Sequence, residues 1–113
     1  MSTTRTTVRP LTEASFDEFV GAVETPVVVD FWATWCGPCA PMAEALAQVA
    51  GEQADRMAAG SVDVDAEAGL GRRFGVQSMP TLLVLVDGQV VDRLVGARGV
   101  ARLREDLARH LAP

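Results

Sequence analysis

Hydrophobic residues recur along the first half of the chain with two different periods. Between residues 16 and 23 they return every three or four positions, as on one face of a helix, and the sequence SFDE predicts a capping box that begins at Ser15. Residues 26–33 (PVVVDFWA) form a nearly unbroken apolar run, which is typical of a central strand covered on both faces. A short edge strand is predicted before the helix, at Thr6 to Val8 and ending at Pro10.

The second half of the chain predicts the remaining elements. They are a helix ended by Gly51, a strand at 57–64, a short helix at 67–74 ended by Gly75, a hairpin at 81–86 and 89–95, and a last helix from Gly99. The hairpin has a clear signal, because an Asp-Gly pair separates two β-rich runs. This order of elements predicts an α/β sandwich, in which helices cover both faces of a mixed sheet of four to five strands.

Composition and charge narrow the class of protein. With 113 residues the chain is the size of one domain, so a single domain is predicted over 1–113, with residues 1–5 as a flexible N-terminus. The net charge is -5 and all basic residues are arginines, which argues against nucleic acid as a partner. The sequence lacks an apolar run of membrane-spanning length, and its start lacks the apolar stretch of a secretory signal, so we expect a cytoplasmic protein with no membrane partner.

The two cysteines lie where the buried strand ends and the next helix begins. A thiol attacks a disulfide only as thiolate, and a helix N-terminus stabilises that anion, so Cys36 is the predicted nucleophile. Cys39 follows one helical turn later and is close enough to act as the resolving thiol. Between them, Pro38 stiffens the turn, and Gly37 lets a bulky substrate approach.

The same spacing is also found in half of a structural zinc site, which would need two further ligands. His110 is the only histidine and lies near the other end of the sequence. We therefore expect a redox pair rather than a metal site, with no cofactor.

Asp30 is the most informative charged residue, because it interrupts the apolar strand. Burial there should raise the pKa of its carboxyl group. A solvent-exposed position at a sheet edge is the alternative, and the flanking VVV and FW argue against it.

Several segments resemble the thioredoxin family. VVVDFWATWCGPC at 27–39 resembles its strand, active-site loop and helix start, MPT at 79–81 its cis-proline loop, and DG at 87–88 its hairpin. The resemblance runs from about Leu11 to the end of the sequence. It implies the thioredoxin fold, a three-layer α/β/α sandwich with four helices, and a protein-disulfide reductase that acts through a redox-active disulfide. It also implies a thioredoxin reductase and disulfide-containing client proteins as partners, and a monomer is expected.

The resemblance also implies roles for individual residues. Asp30 would act as a general base on Cys39, directly or through water. The Met79–Pro80 bond would be cis, so that a client peptide can pair with the backbone of Met79. The residues implied in client binding are Trp35, Gly37, Pro38, Met79, Pro80, Gly96 and Ala97.

The sequence departs from the family pattern near the cysteines. Ser61 stands where the family commonly has a lysine near the aspartate, which would make Asp30 harder to ionise. Ala40 replaces the usual lysine after the motif, and Pro41 comes early in the helix, which predicts a distorted first turn.

Two other functions are compatible with the sequence. An oxidant or isomerase of an exported compartment is the first alternative, since such members of the superfamily tend to carry a histidine between the cysteines, where this sequence has Gly-Pro. It is disfavoured because the sequence lacks a secretory signal. A redox-independent binding module or holdase subunit is the second alternative. A test of disulfide reduction separates it from a reductant.

Overall fold

The computed structural model describes residues 8–111, which form four helices and five strands. In chain order these are β1 (Arg9–Pro10), α1 (Phe16–Ala22), β2 (Val27–Trp32), α2 (Cys39–Glu52), β3 (Ala58–Asp63), α3 (Ala68–Arg73), β4 (Thr81–Val86), β5 (Gln89–Val95) and α4 (Val100–Ala108). The sheet order is β1-β3-β2-β4-β5. β3 runs parallel to β1 and β2, whereas β4 is antiparallel to both β2 and β5. The predicted mixed sheet and its hairpin are confirmed.

Strand β2 lies between two cores because its side chains point alternately to opposite faces of the sheet. Val28 packs with Leu46 of α2 and Leu103 of α4 in one core. Val27 and Val29 belong to the other core, which α1 and α3 cover. Helices therefore lie on both faces, and the helix that carries the second cysteine covers the Val28 face.

Two glycines are expected to end helices, and only one does. Gly75 follows α3 with φ +64°, a left-handed conformation that stops a helix. Gly51 lies inside α2, which continues to Glu52. The Glu52 carboxylate accepts hydrogen bonds of 2.8 and 2.9 Å from Arg104 on α4, so a tertiary contact holds the last turn of α2.

The N-terminal part differs from the prediction at the capping box. An edge strand that ends at Pro10 is present as β1 (Arg9–Pro10). Thr6 and Thr7 of the predicted strand, and the predicted flexible segment 1–5, lie outside the described residues. The capping box lies one turn earlier than the sequence SFDE indicates. The Thr12 hydroxyl accepts a hydrogen bond from the Ser15 amide (3.1 Å), and the Ser15 hydroxyl accepts one from the Thr12 amide (2.9 Å).

The position of this box can be tested by substitution. We expect Thr12→Ala to lower the free energy of unfolding by about 1 kcal/mol, because the Ser15 amide loses its side-chain acceptor and keeps only the Thr12 carbonyl. Glu18→Ala is the matched control, since Glu18 would complete a box that begins at Ser15. Urea denaturation measures both. A larger loss for Glu18→Ala than for Thr12→Ala would contradict the assignment.

Candidate active site

Four loops meet at one edge of the sheet because of the strand directions. Trp32 and Asp63 are paired at the ends of the parallel strands β2 and β3. Thr81, the first residue of β4, is paired with Phe31 on one side and with Val95 at the end of β5 on the other. The loops after β2, β3 and β5 and the loop before β4 therefore converge, and the cysteine motif lies in the first of them.

The two cysteines form a disulfide with a Cα–Cα distance of 5.5 Å, and their surroundings differ. Helix α2 begins at Cys39, so Cys36 lies in the turn just ahead of the helix, and its carbonyl accepts a hydrogen bond from the Cys39 amide (3.2 Å). Cys36 is half-buried, whereas Cys39 is 3% exposed. Gly37 and Pro38 between them are exposed. A substrate from solvent can reach the first cysteine more easily than the second.

The expected distortion at Pro41 is not present. Helix α2 is continuous from Cys39 to Glu52, and Pro41 is its third residue. At this position an α-helix offers no internal acceptor for the amide, so proline costs no helical hydrogen bond. The helix therefore presents a regular N-terminus beside the disulfide.

Asp30 is buried on the face of β2 that α2 covers. It is 1% exposed, and its Oδ1 atom has no hydrogen-bond partner among the described residues. Burial raises the pKa of its carboxyl group from an ordinary value of 3.8 to about 7. Asp30, Cys36 and Cys39 line one cleft of about 410 Å³. The sequence-based expectation of a buried acid is confirmed, and its carboxyl group changes charge near neutral pH.

The loop before β4 brings a fixed backbone edge to the site. The Met79–Pro80 bond is cis, as the resemblance implies, and the Pro80 carbonyl accepts a hydrogen bond from the Gly96 amide (2.9 Å). The Thr81 hydroxyl donates to the Ser78 carbonyl at 2.6 Å, which closes the turn. The Met79 backbone makes no hydrogen bond within residues 8–111, so its amide and carbonyl are unpaired there.

Trp35 contacts an acid that sequence reasoning missed. The indole is 67% exposed, and its Nε1 donates a hydrogen bond to Asp65 Oδ2 at 2.9 Å. Asp65 follows β3, and its amide donates to the Asp63 carboxylate (3.0 Å), which fixes the local turn. The available signal was the sequence VDVD, which ends a strand parallel to β2 at the edge where the cysteines lie.

Metal-site geometry is absent from the described part of the chain. Residues 8–111 contain no group of three or more His, Cys, Asp or Glu side chains that could hold an ion. His110 instead lies 2.8 Å from the Asp92 carboxylate. No helix in this range is both long and apolar enough to cross a bilayer.

A model of the Thioredoxin family matches residues 7–109. The chain belongs to the thioredoxin family. It is 46% identical over 98 residues to the Thioredoxin of Mycobacterium tuberculosis, and the alignment covers 87% of this chain and 84% of that protein. Thioredoxins are thiol-disulfide oxidoreductases that reduce protein disulfides through a redox-active cysteine pair, without a prosthetic group. The Cys36–Cys39 disulfide has the Cys-x-x-Cys form of that pair.

Two further comparisons bear on the fold and on a fused relative. The crystal structure of Malassezia sympodialis Thioredoxin superposes with a TM-score of 0.84 at 29% identity, covering 97% of this chain and 96% of that one. The thioredoxin fold is therefore confirmed. The Bifunctional thioredoxin reductase/thioredoxin of Mycobacterium leprae is 45% identical over 98 residues. That alignment covers 87% of this chain, which spans only 21% of the fused protein.

Burial of Asp30 predicts that stability depends on pH. Because the folded-state pKa of about 7 exceeds the unfolded value near 3.8, the folded chain binds the proton more tightly. The stabilisation is therefore complete below about pH 4 and is lost as the pH rises through 7. We expect the free energy of unfolding of the wild type to fall relative to Asp30→Asn by roughly 4 kcal/mol between these limits.

Urea denaturation at a series of pH values checks this expectation. Asp87→Asn is the matched control, since Asp87 is exposed in the hairpin turn and asparagine also tolerates its φ of 53°. The control should follow the wild-type pH profile. Parallel profiles for wild type and Asp30→Asn would contradict the buried carboxyl assignment.

Proposed function

We propose that this thioredoxin is a cytoplasmic electron carrier in which Cys36 attacks client disulfides and Cys39 resolves the mixed disulfide. The observation that carries this assignment is the difference in burial between two bonded cysteines, one half-buried and the other 3% exposed. A client sulfur can approach Cys36, whereas Cys39 is reached only from within the protein. A Gly-Pro dipeptide between the cysteines is typical of reducing members of the superfamily.

The reaction runs in two exchanges that balance in atoms and electrons. The Cys36 thiolate attacks one sulfur of the client disulfide, a mixed disulfide forms, and the first client thiolate leaves. Cys39 then loses its proton to Asp30 and attacks the Cys36 sulfur, so the intramolecular disulfide forms and the second client thiolate leaves. Two electrons pass to the client. Asp30 suits the role of proton acceptor because its pKa of about 7 allows it to hold or release a proton at neutral pH.

The client is held, in this proposal, along the convergent loops. The unpaired backbone of Met79 offers a donor and an acceptor to an extended client strand. Gly96 has φ +99°, a conformation that favours glycine, and its missing side chain leaves the client room to approach. The residues assigned to client binding are Trp35, Gly37, Pro38, Met79, Pro80, Gly96 and Ala97.

We further propose that a thioredoxin reductase restores the dithiol. The fused Mycobacterium leprae relative bears both names in one chain, which supports such a pairing. A dithiol of this kind works in a compartment that keeps thiols reduced, and this is the reason for assigning it to the cytoplasm. The protein acts as a monomer in this scheme, because its own residues provide both sulfurs and the proton acceptor.

Reduction of insulin disulfides tests the assigned roles of the cysteines. We expect Cys36→Ser to abolish activity, because the attacking sulfur is lost. Cys39→Ser should instead trap the client, since nothing resolves the mixed disulfide, and non-reducing electrophoresis detects that adduct. An inactive wild type would favour the redox-independent binding module. Adduct formation by Cys36→Ser but not by Cys39→Ser would reverse the two assignments.

The role of Asp30 is tested by the rate of the same reaction. We expect Asp30→Asn to slow client reduction at pH 7 by about 100-fold, the lower end of what a positioned general base typically contributes. Stopped-flow tryptophan fluorescence follows the reaction, and Asp87→Asn again is the control. Equal rates for Asp30→Asn and wild type would remove Asp30 from the mechanism.

A further inference from the structure

Ser61 lies beside the buried acid on the neighbouring strand. It is the Cα partner of Asp30 in the parallel pairing of β2 with β3. Paired residues in a sheet project to the same face, so both side chains point toward α2. Ser61 and Asp30 both line the cleft that Cys39 also lines. The hydroxyl, the carboxyl group and the resolving sulfur thus share one space.

Neither polar group has its hydrogen bonding satisfied by the protein. Asp30 Oδ1 is buried without a partner, and the Ser61 hydroxyl makes no hydrogen bond within residues 8–111. They do not bond to each other directly. A buried carboxyl oxygen without a partner is costly, and a water molecule commonly supplies the missing contact where two or more polar atoms and enough room are present. The cleft of about 410 Å³ provides that room.

Few polar or ionisable groups other than Ser61 face the Asp30 carboxyl group. On β4 its neighbour is Leu82, and α2 contributes Cys39. Among the described residues that line the cleft, the other groups that can titrate are Cys36 and Cys39, once their disulfide is reduced. Thr34 also lines the cleft with a hydroxyl but lies in the loop after β2, so Ser61 is the described hydroxyl in direct register with Asp30.

We propose that the Ser61 hydroxyl holds a water molecule against the Asp30 carboxyl group, and that this water carries the proton from the Cys39 thiol to Asp30. The thiol gives its proton to the water as the water gives one to the carboxylate, so the water is unchanged and Cys39 becomes the thiolate. Ser61 is thus a positioning residue. The proposal rests on the role of Asp30 given above and adds the group that connects it to the sulfur.

Removal of the Ser61 hydroxyl should slow resolution by changing the fraction of Asp30 that is ionised. Desolvation alone raises the pKa of Asp30 to about 7. A hydrogen bond from the water to the carboxylate lowers it from there, so Ser61→Ala should raise the pKa of Asp30 back toward that value. With a difference of about one pKa unit, the ionised fraction near pH 6 falls from about one half to about one tenth, so resolution there slows roughly fivefold. By about pH 9 most of the carboxyl groups are ionised in both proteins, and the part of the difference that ionisation causes should nearly vanish.

The experiment separates the two exchanges in one stopped-flow trace. Reduced protein is mixed with an aromatic disulfide that releases a coloured thiophenolate once when Cys36 attacks and again when Cys39 attacks. Ser61→Ala should slow the second release and not the first, and Ser61→Thr, which keeps a hydroxyl, should restore it. Carbon-13 NMR of the Asp30 carboxyl group gives its pKa in each variant. The set is repeated in Asp30→Asn.

The outcomes distinguish this inference from the proposed function. We expect Ser61→Ala to have no further effect in Asp30→Asn, because the hydroxyl acts through the carboxyl group. Equal slowing in both backgrounds, an unchanged Asp30 pKa, or failure of Ser61→Thr to restore the rate would overturn the role of Ser61. If Asp30→Asn itself leaves the second release unchanged, the proposed role of Asp30 fails, and that of Ser61 fails with it.

Discussion

The burial of one carboxyl group on the α2 face of strand β2 governs the chemistry of this site. In water an aspartate is fully ionised at neutral pH, and such a group neither holds a proton nor accepts one from a thiol efficiently. Moving it behind the disulfide, among apolar side chains, brings the pKa of Asp30 to about 7. Desolvation therefore gives the protein a carboxyl group that changes charge near neutral pH, as the proposed role of proton acceptor requires, without a histidine or a charged neighbour in the described part of the cleft.

Side chains along β2 point alternately to opposite faces of the sheet, and this alternation determines which residues Asp30 faces. Residues of even number on β2, such as Val28, point toward α2, and the odd-numbered Val29 points toward α1 and α3. A shift of the strand register by one residue would turn the acid away from the cysteines. Pairing on both sides, with β3 and β4, fixes that register. The chemistry thus depends on sheet geometry several residues away from the sulfur atoms.

Sequence reasoning worked where a feature depends on neighbouring residues and failed where distant parts of the chain decide. The hairpin was predicted with correct bounds, because an Asp-Gly turn fixes its own geometry and register. The end of α2 was placed at Gly51, because the contact between Glu52 and Arg104 spans 52 positions and leaves no local pattern.

The features of the active site also fall into those that neighbouring residues predict and those that depend on distant parts of the chain. The strand-to-helix junction identifies the cysteine pair, and the apolar run around Asp30 identifies the buried acid. The cis bond at Pro80 came only from family resemblance, since most bonds before proline are trans. The hydrogen bond from Trp35 to Asp65 was missed, because it joins two loops that only the parallel pairing of β2 and β3 brings together.

A buried acid in the sheet lowers the free energy of unfolding, and the position of Asp30 limits how far it falls. The cost falls on the ionised form, so it grows as the pH rises and is greatest where the proposed mechanism uses the carboxylate. Val27, Val28, Val29 and Phe31 flank Asp30, and each is at most 1% exposed. Full burial of one such side chain contributes on the order of 1.5–3 kcal/mol, so the four apolar neighbours together can offset the cost of the buried acid. Complete burial also produces the shift in pKa, and a less buried strand would retain more stability at neutral pH but provide a weaker base.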